Sequence, residues 1–165
     1  EARVGQTGRT CRRWFEKGIR PRGRRDLRHE AVYLFGAVCP DRDHGVALVL
    51  PEVSAVAMQT MLDELAAAVT PGTHAVVILD RAGWQTAKEL TIPTTIAPVF
   101  LPPYSPELNP KENLRDEIRE KIFKNYALKS IAAVRAKLKH AILYIERNPA
   151  MVKSITTFPY IAKSL

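Results

Sequence analysis

The stretch HAVVILD, residues 74–80, decides the fold. It is a short, unbroken apolar run that ends in a carboxylate, the pattern of a buried parallel strand with Asp80 at its C-terminal edge. Downstream, TIAPVF (95–100) reads as a second strand, and GWQTAKEL (83–90) between the two reads as a short helix. Upstream, Met58, Met61, Leu62, Leu65 and Val69 recur at helical spacing after Pro51, with Ser54 as N-cap and the Thr-Pro-Gly at 70–72 as the stop. Further back, AVYLFGAVC (31–39) and GVALVL (45–50) flank the turn-forming PDRDHG and predict a hairpin. Strands and helices then alternate, which predicts an α/β fold with parallel later strands. Ligand sites in such sheets lie beyond the carboxyl ends of the strands, where Asp80 falls.

The next informative stretch is LPPYSPELNPKEN, residues 101–113, which carries four prolines between the last strand and a helix. An ordinary connection needs only two to six unremarkable residues, whereas prolines fix φ and remove donors, so this loop is built to hold a helix start in place. Asn109 as N-cap, Pro110 at the first helical position and Glu112 three residues after the cap spell a capping box, sufficient reason for Glu112 without any chemistry. Yet Glu112 lies about 200° around the helix from Leu114, away from the stripe Leu114, Ile118, Ile122, and so is free to face a cleft. Asp116 is one turn further along the same face. A second closing helix is predicted over about 128–147, with Ile131, Val134, Leu138, Ala141, Ile142 and Ile145 as its buried stripe. A carboxylate at a strand end opposite one at a rigidly started helix suits a pair of divalent cations, and hard oxygen ligands favour Mg²⁺ or Mn²⁺.

Net charge narrows the partner. Of the +8 overall, residues 1–28 hold ten cations against three acids, while the rest of the chain is nearly balanced, with 15 against 14. Arg12, Arg13, Arg20, Arg22, Arg24 and Arg25 are therefore candidate phosphate contacts, and DNA or RNA is the first partner to consider; the plain alternative is a solvated charged surface. No window is apolar enough for a membrane span or a signal peptide, which predicts a cytoplasmic protein without a membrane partner. Cys11 and Cys39 have no zinc-ligand neighbours and read as reduced thiols. Asp41, Asp43 and Glu52 do not make a calcium loop, because the glycine falls at the fifth loop position instead of the sixth. With no internal repeat or linker, residues 1–165 read as one catalytic-type domain with an arginine-rich segment at 1–28.

VVILDRAGWQ and LPPYSPELNPKEN, with YLFGAVCP and the opening EARVGQ in support, resemble the DDE transposases of bacterial insertion sequences related to the mariner group. The resemblance implies a ribonuclease H-like mixed sheet flanked by helices. It also implies Mg²⁺-dependent DNA cleavage and strand transfer, with Asp80 and Glu112 as metal ligands. Water cuts the element's end, and the new 3′-hydroxyl attacks target DNA. Such proteins carry a first catalytic aspartate directly before a residue that aligns with Glu1. This chain begins one residue later, as a fragment or processed product would, so the first central strand and first ligand are expected to be missing. Gln85 stands where His is frequent in the family, and Arg81 where a small or amide residue is common. The chain alone is accordingly expected to be inactive or nearly so. Two other readings compete: a DNA-binding remnant that has lost cleavage, and a basic α/β interaction domain in which Asp80 and Glu112 are turn and cap residues. An exposed sheet edge in place of the missing strand would favour a homodimer. Trp14, Phe15 and Trp84 are each either base contacts or partly buried anchors.

Overall fold

The computed structural model describes residues 1–6, 14–19, 27–40, 44–103, 105–123 and 128–159. The candidate phosphate contacts Arg12, Arg13, Arg20, Arg22, Arg24 and Arg25 lie outside the described residues, as do Cys11, Asp41 and Asp43.

Strands β1 (Ala2–Gly5), β2 (Ala31–Cys39) and β3 (His44–Leu50) form an antiparallel sheet in that order, so the predicted hairpin is present. Its long middle strand is apolar on both faces because both are covered. Val32 and Leu34 are buried under helix α3 (Ile131–Glu146), together with Val134 and Leu138, and Ile118 of helix α2 (Pro110–Lys121) packs against the same cluster. Phe35 faces the other way, onto Ala57 and Met61 of helix α1 (Ala55–Ala68).

Strands β4 (Ala75–Leu79) and β5 (Ile96–Phe100) pair in parallel, as the sequence predicts. Helix α1 covers one face of this pair, burying Met58, Leu62 and Ile96 against Val77 and Leu79. The other face is open: Val76 and Val99 are 64% and 48% exposed, so β4 is parallel but buried on one side only. No ladder joins the two sheets among the described residues. Helix α1 bridges them by packing on both, and Gln59 clamps it to the loop before β5, its Oε1 accepting from Thr91 N–H (2.9 Å) and its Nε2 donating to Thr91 C=O (3.0 Å). Each Leu, Met or Phe buried here contributes about 1.5–3 kcal/mol.

Three expectations change. The first strand is not missing: Ala2–Gly5 pairs with Ala31–Leu34, because the half-buried β2 edge offers a backbone template to even four residues. The stretch 83–90 contains only a 3₁₀ turn, Gly83–Gln85, since so short a segment opened by glycine cannot repay helix nucleation, and Thr86 Oγ1 ends it by donating to Gly83 C=O (3.2 Å). Finally, three helices rather than two close the described chain. Helix α4 (Pro149–Thr156) is only eight residues long, and its buried face mixes Val152 with Thr156, whose hydroxyl satisfies itself on Val152 C=O (2.7 Å). A polar residue in the stripe hides its periodicity.

Candidate active site

Asp80 follows β4 directly and is exposed. Its Oδ1 accepts a long bond from Ala82 N–H (3.4 Å), the local turn bond available to any aspartate two residues upstream. Gln85 Oε1 accepts from the same N–H at 3.2 Å, and Gln85 is buried. One donor thus joins the carboxylate to the turn that follows it. Between them Arg81 adopts a left-handed backbone, φ 65°, and its guanidinium lies 5.9 Å from the centre of the Phe100 ring at the end of β5.

Glu112 reaches the site through the proline-rich loop. Leu101 is buried, and its N–H donates to Leu79 C=O (2.8 Å), which ties the loop's entry to the end of β4. A 3₁₀ turn, Pro106–Leu108, follows. Asn109 Oδ1 then accepts from Lys111 N–H (3.1 Å), and Pro110 stands at the first position of α2. Glu112 N–H donates to Asn109 C=O (3.0 Å), while its carboxylate is ion-paired with Arg115. The cap is therefore made by Asn109, and the Glu112 carboxylate points along the helix to Arg115. Asp116 is exposed and pairs with Arg119 at 3.2 Å.

The start of β1 meets both elements. The nitrogen of Glu1 is buried and within hydrogen-bonding reach of the Lys111 ammonium; where it is a free α-amine its pKa is pushed down from an ordinary value of 8.0 to about 5, first by burial and then by Lys111, with the carboxylates of Glu1 and Asp80 opposing the shift. The beginning of β1, the end of β4 and the first turn of α2 are thus neighbours. Among the described residues, no three His, Cys, Asp or Glu side chains are grouped closely enough to hold a metal ion. Asp80 and Glu112 alone do not fit a two-cation centre, and the nearest further acid on the helix, Asp116, is held by Arg119.

The sequence profile of the DDE superfamily endonucleases matches residues 1–135, from β1 into α3. The chain belongs to this family. The mixed sheets flanked by helices are the family's ribonuclease H-like fold. A protein of Sinorhizobium fredii (strain NBRC 101917 / NGR234), "Uncharacterized protein y4pE/y4sA", is 48% identical over 69 residues, which are 42% of this chain and 51% of that protein. The chain thus spans about half the length of the curated relative it matches. No solved structure matches it.

Several residues of this endonuclease-family chain have structural duties that the sequence did not disclose. Arg3 donates to His29 C=O (3.0 Å), and Arg28 donates to the carbonyls of Leu128 and Lys129, so two arginines of the basic segment hold backbone. Asn113 Nδ2 donates to Ile155 C=O (2.9 Å) and fastens α2 to α4 across 42 residues of chain, a distance over which no local pattern gives a signal. Tyr144 donates to Glu117 Oε1 (3.0 Å), joining α3 to α2; that bond raises the tyrosine's pKa above its ordinary value. Trp84 packs on the Met58, Leu62, Ile96 cluster and is an anchor, whereas Trp14 and Phe15 are exposed. Cys39 is a free, exposed thiol. Among the described residues no helix is long and apolar enough to cross a membrane. A groove between β3 and α3, lined by Val49, Pro51, Arg135, Lys139, Ile142, Leu143 and Glu146, contains neither Asp80 nor Glu112.

Proposed function

We propose that the chain is the greater part of a transposase catalytic domain, which cleaves a DNA strand and transfers the freed 3′-hydroxyl to a second phosphodiester. Asp80 and Glu112 are its two catalytic carboxylates, and residues 1–28 supply backbone contacts to DNA. The single observation that carries this reading is the meeting of the β1 start with Asp80 and the first turn of α2. β1 pairs with Ala31–Leu34, while β2 runs on to Cys39. In the antiparallel register a residue bonded to the Glu1 nitrogen of a longer chain falls opposite Gly36, next to the nitrogen that Lys111 reaches. A carboxylate there completes a three-acid set for Mg²⁺ or Mn²⁺. With two acids alone the cation is not held.

A second reading, DNA binding without cleavage, draws on the ion pairs. Glu112 is neutralised by Arg115 and Asp116 by Arg119, which suits a surface that has ceased to bind cations. A homodimer in which a second chain fills the open edge of β2 belongs with this reading.

Nicking of supercoiled plasmid in Mg²⁺ or Mn²⁺ separates them. The 165-residue chain is expected to be inactive, and a chain extended upstream with aspartate directly before Glu1 to cut. Asp80→Ala or Glu112→Ala in the extended chain then abolishes cutting. Strong nicking by the chain as it stands overturns its expected inactivity and the need for a third acid, whereas none by any version while all bind DNA overturns the cleavage reading.

A further inference from the structure

We infer that Arg81 grips the DNA backbone beside the carboxylates, an inference that rests on the cleavage reading and assigns one of its substrate contacts. Arg81 is the only described residue other than glycine with a positive φ, 65°, a conformation in which the Cβ crowds the backbone and for which glycine or asparagine is the unstrained choice. The chain nonetheless places its largest cationic side chain there. The left-handed bend carries that side chain across to β5, where the guanidinium rests over the Phe100 ring at 5.9 Å. It thereby lies near the carboxyl ends of both parallel strands, one residue from Asp80.

Its partners set it apart from the arginines around it. Arg115 and Arg119 are paired with Glu112, Asp116 and Glu120, and Arg3 and Arg28 hold backbone carbonyls. Among the described residues no carboxylate is paired with Arg81. A ring contact engages the face of a guanidinium and leaves its N–H fork available, and that fork matches two oxygens of a phosphate. Acidic side chains repel a phosphodiester brought up to them; a fixed cation beside Asp80 offsets that repulsion and sets the approach. The contact with Phe100 also restricts the side chain and so lowers the conformational entropy lost when the phosphate is bound.

The test is the affinity of the 165-residue chain for a fluorescent DNA duplex, measured by anisotropy over a salt series. Losing one phosphate contact is expected to flatten the slope of log K against log salt by about 0.9, equally for duplexes of unrelated sequence. Arg81→Gln should show this loss and Arg81→Lys should retain the slope while binding less tightly. Arg81→Gly relieves the backbone strain, so a folded Gly variant with the flattened slope shows that the loss is not one of folding. A wild-type slope in Arg81→Gln and Arg81→Gly overturns the inference. If the extended chain still nicks plasmid in that case, the cleavage reading survives it. A wild-type chain that binds no duplex overturns the inference outright, and failure of the extended chain to nick, with the slopes behaving as expected, overturns the cleavage reading while leaving Arg81 a phosphate contact.

Discussion

At the scale of single residues the site depends on one shared donor. The N–H of Ala82 serves both Asp80 Oδ1 and Gln85 Oε1, and Gln85 is buried, so its oxygen has no water to fall back on. Gln85→Ala removes the stronger acceptor and leaves a small void. It is expected to destabilise the protein by about 1–2 kcal/mol, read from the urea midpoint at unchanged m-value. Gln85→Glu, which keeps the oxygen but brings charge into a buried position, should cost at least as much. Asp80 was legible in the sequence because a carboxylate at the end of an apolar run is a conspicuous pattern. The bond made by Gln85 was not: the resemblance marks the position only as one where His is frequent, and a glutamine six residues after a strand matches no template until the 3₁₀ turn closes.

Among elements, α2 matters most, because its first turn carries Lys111 and Glu112. The helix is fixed from several sides: Leu114 and Ile122 are buried, Asn113 is bonded to α4 and Glu117 to Tyr144 of α3. Its start rests on the Asn109 cap. Asn109→Ala is expected to cost about 1 kcal/mol, and Asn109→Asp to restore most of it, since either oxygen accepts from Lys111 N–H and a negative charge suits a helix N-terminus. Chemical denaturation of the three proteins measures this. In the extended chain the alanine variant should lose more nicking than its stability loss explains, because a frayed first turn misplaces Glu112. The starts of α1 and α2 and the apolar stripes of α1, α2 and α3 were readable because caps and 3.6-residue periodicity are local signals, while α3 begins at Ile131 behind Ser130, three residues after its expected start. Helix α4 was not, for it is short and buries a threonine whose hydroxyl bond lies within the helix.

At the scale of the whole molecule, two sheets that share no ladder among the described residues are held together by α1, and Glu1, at the beginning of β1, is within hydrogen-bonding reach of Lys111 and feels the charge of Asp80. The Glu1 amine offers a way to measure that contact. In a polypeptide with a free amine there, the folded value of about 5 lies below the ordinary value of 8.0. Between these values the unfolded chain binds a proton that the folded chain does not, so this group makes stability rise from pH 5 to pH 8 and weakens the fold as pH falls through that window. Urea titrations across the window should show a steeper rise for the free-amine chain than for the same chain acetylated at Glu1. Equal slopes would mean that the amine is not buried beside Lys111.

The sequence by itself determined the hairpin, the helix after it, the parallel pairing of the later strands and the starts of α1 and α2, because turn formers, caps and apolar runs are patterns within a few residues of chain. Its resemblance to DDE transposases named the superfamily and proposed Asp80 and Glu112 as its carboxylates. Tertiary structure alone decided which apolar runs are covered on two faces and which on one, that Glu112 and Asp116 are paired with arginines, and that β1 begins beside Lys111. Those outcomes depend on backbone and charge brought together from distant parts of the chain, and neither periodicity nor composition encodes such distances.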